Sequence, residues 1–84
     1  MKRVSFRLND PQAREVFLCG TFNTWDPSVC PMKRGRKGLW SASLTLEPGT
    51  YEYRFLVDGE WQNDPHSETV PNPYGACNNV RIVI

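Results

Sequence analysis

LEPGTYEYRFLVDGEWQNDP, running from Leu46 to Pro65, decides the fold class. Tyr51, Tyr53, Phe55 and Val57 alternate with Glu52, Arg54 and Leu56, and a period of two marks a strand with one face buried. Asp58-Gly59 follows at once. Asp-Gly is the preferred pair for a two-residue type I′ turn, so Glu60 and Trp61 are expected to fold back beside the strand, with Trp61 near a tight tip. On the other side, Glu47-Pro48-Gly49-Thr50 places Pro and Gly at the central positions of a type II turn. That predicts a second hairpin, back to a strand carrying Trp40, Ala42, Leu44 and Leu46.

Outward from this stretch the same period recurs. Val4, Phe6 and Leu8 alternate with Arg3, Ser5 and Arg7, and Val80, Ile82 and Ile84 close the chain as a last strand. Glu15 to Gly20 is nearly continuous in VFLC, as expected of a strand covered on both faces. No segment shows the helical spacing of apolar residues. The reading is all-β: an immunoglobulin-like sandwich of two antiparallel sheets with five to seven short strands, forming one domain over residues 1–84. Two long stretches stay irregular, Thr21 to Gly38 and Gln62 to Ala76. Loops of that length in so small a domain point to function.

Composition narrows the partner. Ten Lys and Arg against nine Asp and Glu leave a net charge of +1, too little to build a field that condenses on nucleic acid or an anionic membrane. An uncharged partner is expected. The start MKRVSFRLND lacks the apolar stretch of a signal peptide, and no run reaches the length of a membrane span, so a cytoplasmic protein is expected. Cys19, Cys30 and Cys77 are an odd number without CxxC spacing, which favours reduced thiols over a disulfide framework or a zinc site. No cofactor is expected.

Catalysis has little support. The one histidine, His66, sits in NDPHSETVP beside Asp64, Ser67 and Glu68, residue types that form solvated turns, and triads are assembled by the fold rather than by adjacency. There is no P-loop and no GxGxxG. The basic segment Lys33-Arg34-Gly35-Arg36-Lys37 reads as a solvated loop, with contact to a partner protein as its alternative role.

The tryptophans differ in context. Trp40 alternates with apolar neighbours and reads as core. Trp25 lies in the polar segment TFNTWDP and Trp61 at the hairpin tip, so each either caps an open end of the sandwich or presents its ring to a ligand. An indole offers a flat apolar face with one donor on its edge, which suits a pyranose ring, whose C–H groups lie on its face and whose hydroxyls reach outward to amides and guanidinium groups.

With these residues assembled, the chain resembles the family 48 carbohydrate-binding modules, found as the glycogen-binding domain of the AMP-activated protein kinase β subunit and as the early-set domain of isoamylases and branching enzymes. The landmarks are EVFLCGTFNTWDP (Glu15–Pro27), LEPGTYEYRFLVDGEWQNDP and YGACNNVRIV (Tyr74–Val83). The resemblance implies an early-set sandwich in which Trp25 and Trp61 stack on successive glucose units of an α-1,4-glucan. It also implies that Arg54 reaches sugar hydroxyls and that Asn78 makes the last amide contact. The kinase-subunit pattern has Lys at Arg54, Leu at Tyr74 and Thr at Ala76. Ala76 forgoes a hydroxyl contact, Arg54 exchanges a point donor for a planar fork, and Tyr74 is expected to add a third aromatic surface. From the initiating Met1 a complete chain is expected, with neither the kinase's subunit-assembly region nor a catalytic barrel attached; a fragment of a longer amylolytic enzyme is the other reading. A non-catalytic α-glucan binder is therefore expected. The alternative is an interaction module that docks a separate glycogen-metabolising enzyme or a kinase subunit.

Overall fold

A computed structural model describes residues 1–84. Eight strands form: β1 Lys2–Asn9, β2 Val16–Gly20, β3 Lys33–Arg34, β4 Leu39–Leu46, β5 Gly49–Val57, β6 Glu60–Gln62, β7 Thr69–Pro71 and β8 Cys77–Val83. One sheet has the order β1-β4-β3 and the other β2-β5-β8-β7, with β6 also paired to β5. Every pairing is antiparallel. The all-β, immunoglobulin-like sandwich read from the alternation is the architecture observed.

The inward set matches the period of two. Val4, Phe6 and Leu8 of β1 and Trp40 of β4 face Val16 and Leu18 of β2 and Tyr53, Phe55 and Val57 of β5 in a single core. Its centre is aromatic. Phe6 meets Tyr53 edge to face at 4.8 Å, and Tyr53 meets Phe55 at 5.8 Å, the tilted geometry that ring quadrupoles favour. Trp40 is buried, and its indole N–H donates to the Asp10 carbonyl at 2.9 Å.

One expected turn does not form. The segment Glu47–Thr50 is no hairpin, because β4 and β5 belong to different sheets and the chain crosses between them at Glu47-Pro48. Gly49 opens β5 in extended backbone. The crossing is tied by the Tyr51 hydroxyl, which donates to the Glu47 carbonyl at 2.6 Å, the corner device of immunoglobulin-type sandwiches. The physical reason is that β4 and β5 both carry buried apolar faces, and these cover each other best across the sandwich rather than side by side. The Asp58-Gly59 turn forms as expected, with both residues at positive φ (48° and 86°) and Val57 opposite Glu60. Two strands escaped the reading. Lys33–Arg34 pairs with β4, so the basic segment is a sheet edge followed by a turn rather than loop throughout, and Thr69–Pro71 pairs with β8.

Burial also sets a pH response. The apolar surroundings push the Cys19 thiol from 9.0 to about 11, with Cys30 as a lesser cause. Burial likewise raises the Tyr53 hydroxyl from 10.0 to about 12. Unfolding releases both groups to ionise earlier, so the unfolded chain binds fewer protons over this range and stability falls as pH rises. The urea midpoint is expected to decline between pH 9 and 12. A midpoint that stays level across that window would contradict the burial of these two groups.

Candidate functional site

β5 carries the middle of the site on its outward face. On one edge of β5, β8 pairs with Gly49–Tyr53 and β6 with Phe55–Val57, so Arg54 lies where the two partners meet. On the other edge Arg54 lies opposite Cys19 of β2. The type I′ turn brings Trp61 back opposite Leu56, next to Arg54. The guanidinium carbon of Arg54 is 5.8 Å from the centre of the Trp61 ring.

Trp25 arrives from the loop after β2. Gly20 ends that strand in a place that admits no side chain: a Cβ there would stand 2.5 Å from the Glu52 carbonyl oxygen and 2.7 Å from the Phe22 ring. Asn23 then folds the loop. Its Oδ1 accepts the Gly20 N–H and its Nδ2 donates to the Leu18 carbonyl, both at 3.0 Å. Thr24 and Trp25 follow with φ of 54° and 61°, left-handed backbone that a β-branched or bulky residue rarely adopts. Such backbone is held only where its surroundings impose it, and it clusters at functional sites. Here the Trp25 N–H donates to the Gly20 carbonyl at 3.0 Å. Beyond it the Ser28 hydroxyl and amide hold the Asp26 carboxyl below its ordinary value and stiffen the next turn.

The result is a pair of indoles side by side. Their ring centres are 6.3 Å apart and their planes are inclined by 72°. Trp61 is 44% exposed and Trp25 is half-buried. Together with Arg54, Asn72, Pro73, Tyr74, Ala76 and Asn78 they line one depression of about 530 Å³. The five residues singled out in the sequence, Trp25, Arg54, Trp61, Tyr74 and Asn78, are thus brought to a single surface. Trp25 and Trp61 do not cap the ends of the core.

The polar members are only partly occupied by the protein. Arg54 Nη2 reaches Asn63 Oδ1 at a long 3.5 Å, and Arg54 Nε is buried without a partner. An unsatisfied buried donor is uncommon and calls for an explanation, a functional role among them. Asn78 is aimed by two neighbours: its Nδ2 donates to Glu52 Oε1 and its Oδ1 accepts from Asn72 Nδ2, both at 3.1 Å. Each amide group keeps capacity for one further bond. Tyr74 stands 90% exposed at the rim. The Asn72 side chain shapes its turn by accepting the N–H groups of Tyr74 and Ala76 at 3.0 and 3.1 Å.

Sequence reasoning passed over Glu52, Asn63, Asn72 and Asn79. The run Pro71-Asn72-Pro73-Tyr74-Gly75 carried a signal for Asn72, because an Asn beside Pro and Gly commonly accepts from amides two residues on. Asn79 gave none. It is fully buried, accepts from the Asp64 N–H at 2.6 Å and Asn63 Nδ2 at 3.2 Å, and donates to the Asp64 carbonyl at 2.9 Å. It thereby ties the segment after Trp61 to β8. Asn79→Leu keeps the volume and leaves the Asp64 N–H without its partner, while Asn63 Nδ2 keeps the Cys77 carbonyl and the Asp64 carbonyl keeps the Ser67 N–H, so a loss of about 1 to 3 kcal/mol is expected in chemical denaturation. A loss below about 0.5 kcal/mol would show the network to be dispensable.

The family described as the glycogen recognition site of AMP-activated protein kinase matches residues 3–84. The pig 5'-AMP-activated protein kinase subunit beta-1 is 40% identical over 67 residues, covering 80% of this chain and 52% of that protein. Rice FLOURY ENDOSPERM 6, a chloroplastic protein by name, is 47% identical over 60 residues, covering 71% of this chain and 11% of that protein. The Arabidopsis chloroplastic PTST homolog 2 is 42% identical over 71 residues, 84% of this chain and 13% of that protein. The chain therefore spans about half, or much less, of these relatives. Since two of them are chloroplastic, the family is not confined to the cytoplasm. No helix is long and apolar enough to cross a membrane. By a match that runs from Arg3 to the last residue, the chain belongs to the family of the glycogen recognition site of AMP-activated protein kinase, the carbohydrate-binding modules of family 48.

Proposed function

We propose that this chain is a non-catalytic module that binds α-1,4-linked glucan, glycogen or a starch-like chain. Trp25 and Trp61 serve as stacking platforms, Arg54 and Asn78 as donors to sugar hydroxyls, and Tyr74 as a flanking aromatic surface. The observation that carries this reading is the pair of indoles 6.3 Å apart and inclined by 72° within one depression. Successive glucose rings of an α-1,4 chain turn relative to one another, so two inclined platforms can each meet a ring. A flat β-1,4 ribbon offers rings in one plane and can satisfy only one of them. Membership of a family described as a glycogen recognition site supports the same ligand class. The lining contains no carboxylate, so the paired acids of glycoside hydrolysis are missing from it.

Affinity electrophoresis tests the reading. The chain is expected to be retarded in a native gel containing glycogen and to run unretarded in one containing hydroxyethylcellulose. Equal mobility with and without glycogen overturns glucan binding, and equal retardation by both polymers overturns the α-1,4 preference. A second role, docking a kinase subunit or a glycogen-metabolising enzyme, follows from the kinase-subunit relatives. The exposed cations of Lys33–Lys37 are its natural contact, and it would displace the first reading if glycogen fails to retard the chain.

A further inference from the structure

A second depression, of about 480 Å³, lies away from the tryptophans and is lined by Ser5, Arg7, Asp64, His66, Ser67 and Arg81. None of these is apolar, so a sugar ring has no face to stack on here. The two guanidinium groups come from opposite sheets, Arg7 from β1 and Arg81 from β8. Arg81 is fixed in place: its Nη2 donates to the Ser5 carbonyl at 2.7 Å and its guanidinium lies 5.0 Å over the Phe6 ring. This uses one of five donors and leaves the remainder of a planar fork held in a set orientation.

The only acid in the lining is Asp64, and each of its two oxygens already accepts one hydrogen bond from the protein. Oδ2 accepts from the Tyr53 hydroxyl and Oδ1 from the His66 backbone N–H, both at 2.9 Å. Asp64 therefore offsets one positive charge without chelating either arginine, and two cations against one acid leave the lining net positive. Its bond to the His66 amide also holds the histidine segment at the rim. Ser67 commits its proton to the Val80 carbonyl at 3.0 Å, so Ser5 is the hydroxyl nearer to being free, with one contact to Ser43 at 3.4 Å.

We propose that this depression binds a phosphate-type oxyanion, inorganic phosphate or the phosphomonoester of a sugar, through Arg7 and Arg81 with Ser5 beside them. A tetrahedral anion presents several acceptor oxygens at once, which suits two guanidinium groups that line one depression from two strands. This site is separate from the glucan depression and does not depend on it.

The test is an amide and indole NMR titration of the intact chain at constant ionic strength, with inorganic phosphate, glucose 6-phosphate and maltose as probes. Phosphate is expected to produce saturable shifts at Ser5, Arg7, His66, Ser67 and Arg81 while the indole N–H signals of Trp25 and Trp61 stay in place. Arg7→Gln, at an exposed position, is expected to weaken phosphate binding about tenfold or more without disturbing the fold. Arg81→Gln is expected to do the same and serves as a second variant, since Arg81 also packs on Phe6. Tighter binding of glucose 6-phosphate than of inorganic phosphate assigns the site to a phosphorylated sugar, and equal binding assigns it to the free anion. Non-saturating shifts, shifts centred on Lys33–Lys37, or an Arg7→Gln titration equal to wild type would overturn the proposal. Shifts with maltose at these residues would do so as well.

Discussion

Trp61→Ala is expected to weaken glucan binding about 5- to 150-fold, Trp25→Ala by a similar factor, and the double variant to run in a glycogen gel as if no glycogen were present. The range comes from about 1 to 3 kcal/mol per aromatic platform, taken from stacking on flat nucleobases. Two platforms then supply roughly 2 to 6 kcal/mol before ordering costs, which corresponds to affinities on the order of millimolar to micromolar when polar contacts are added. The rings touch edge to face, so removing one also loosens the other, and the two single effects should not simply add. Titration calorimetry with a malto-oligosaccharide long enough to span both rings would measure each factor. Wild-type affinity in either variant would remove that indole from the site.

Stability should respond in the opposite order. Trp40→Ala is expected to cost about 3 to 5 kcal/mol, the usual range for truncating a buried aromatic residue. In a domain of this size that lowers the melting temperature by about 20 °C or more. The variant opens a cavity in the core and removes the shorter of two hydrogen bonds to the Asp10 carbonyl, leaving it the Ala13 N–H at 3.3 Å. Trp25→Ala removes a half-exposed ring from a loop and is expected to cost under about 1 kcal/mol. Thermal unfolding followed by circular dichroism compares the two directly. Equal losses would mean that Trp25 packs as core rather than facing a ligand. Together the measurements separate the tryptophans by role: Trp40 moves stability, while Trp25 and Trp61 move binding.

The chemistry of the site was legible because it rests on local features. Asp58-Gly59 dictates a type I′ turn, the turn dictates where Trp61 returns, and the alternation along β5 dictates that Arg54 faces outward. Trp25 could be placed in a polar loop but not oriented. Its direction depends on the Gly20–Glu52 approach, on Asn23 and on two left-handed residues, none of which leaves a periodic trace. Asn79 was illegible for a related reason. A buried amide looks the same in sequence as an exposed one, and only its partners, brought from the segment after Trp61, show what it does.

By itself the sequence determined the longer strands, the apolar faces they turn inward and most of the residue types at the site, because a period of two and the turn residues act between near neighbours; the two- and three-residue strands Lys33–Arg34 and Thr69–Pro71 left no such period. Tertiary structure decided the rest: that β4 and β5 face each other from different sheets, that two indoles meet at 72°, and that Arg7 and Arg81 share a depression. Those outcomes depend on contacts between residues far apart in the chain, where burial of whole faces outweighs the local preference of any turn.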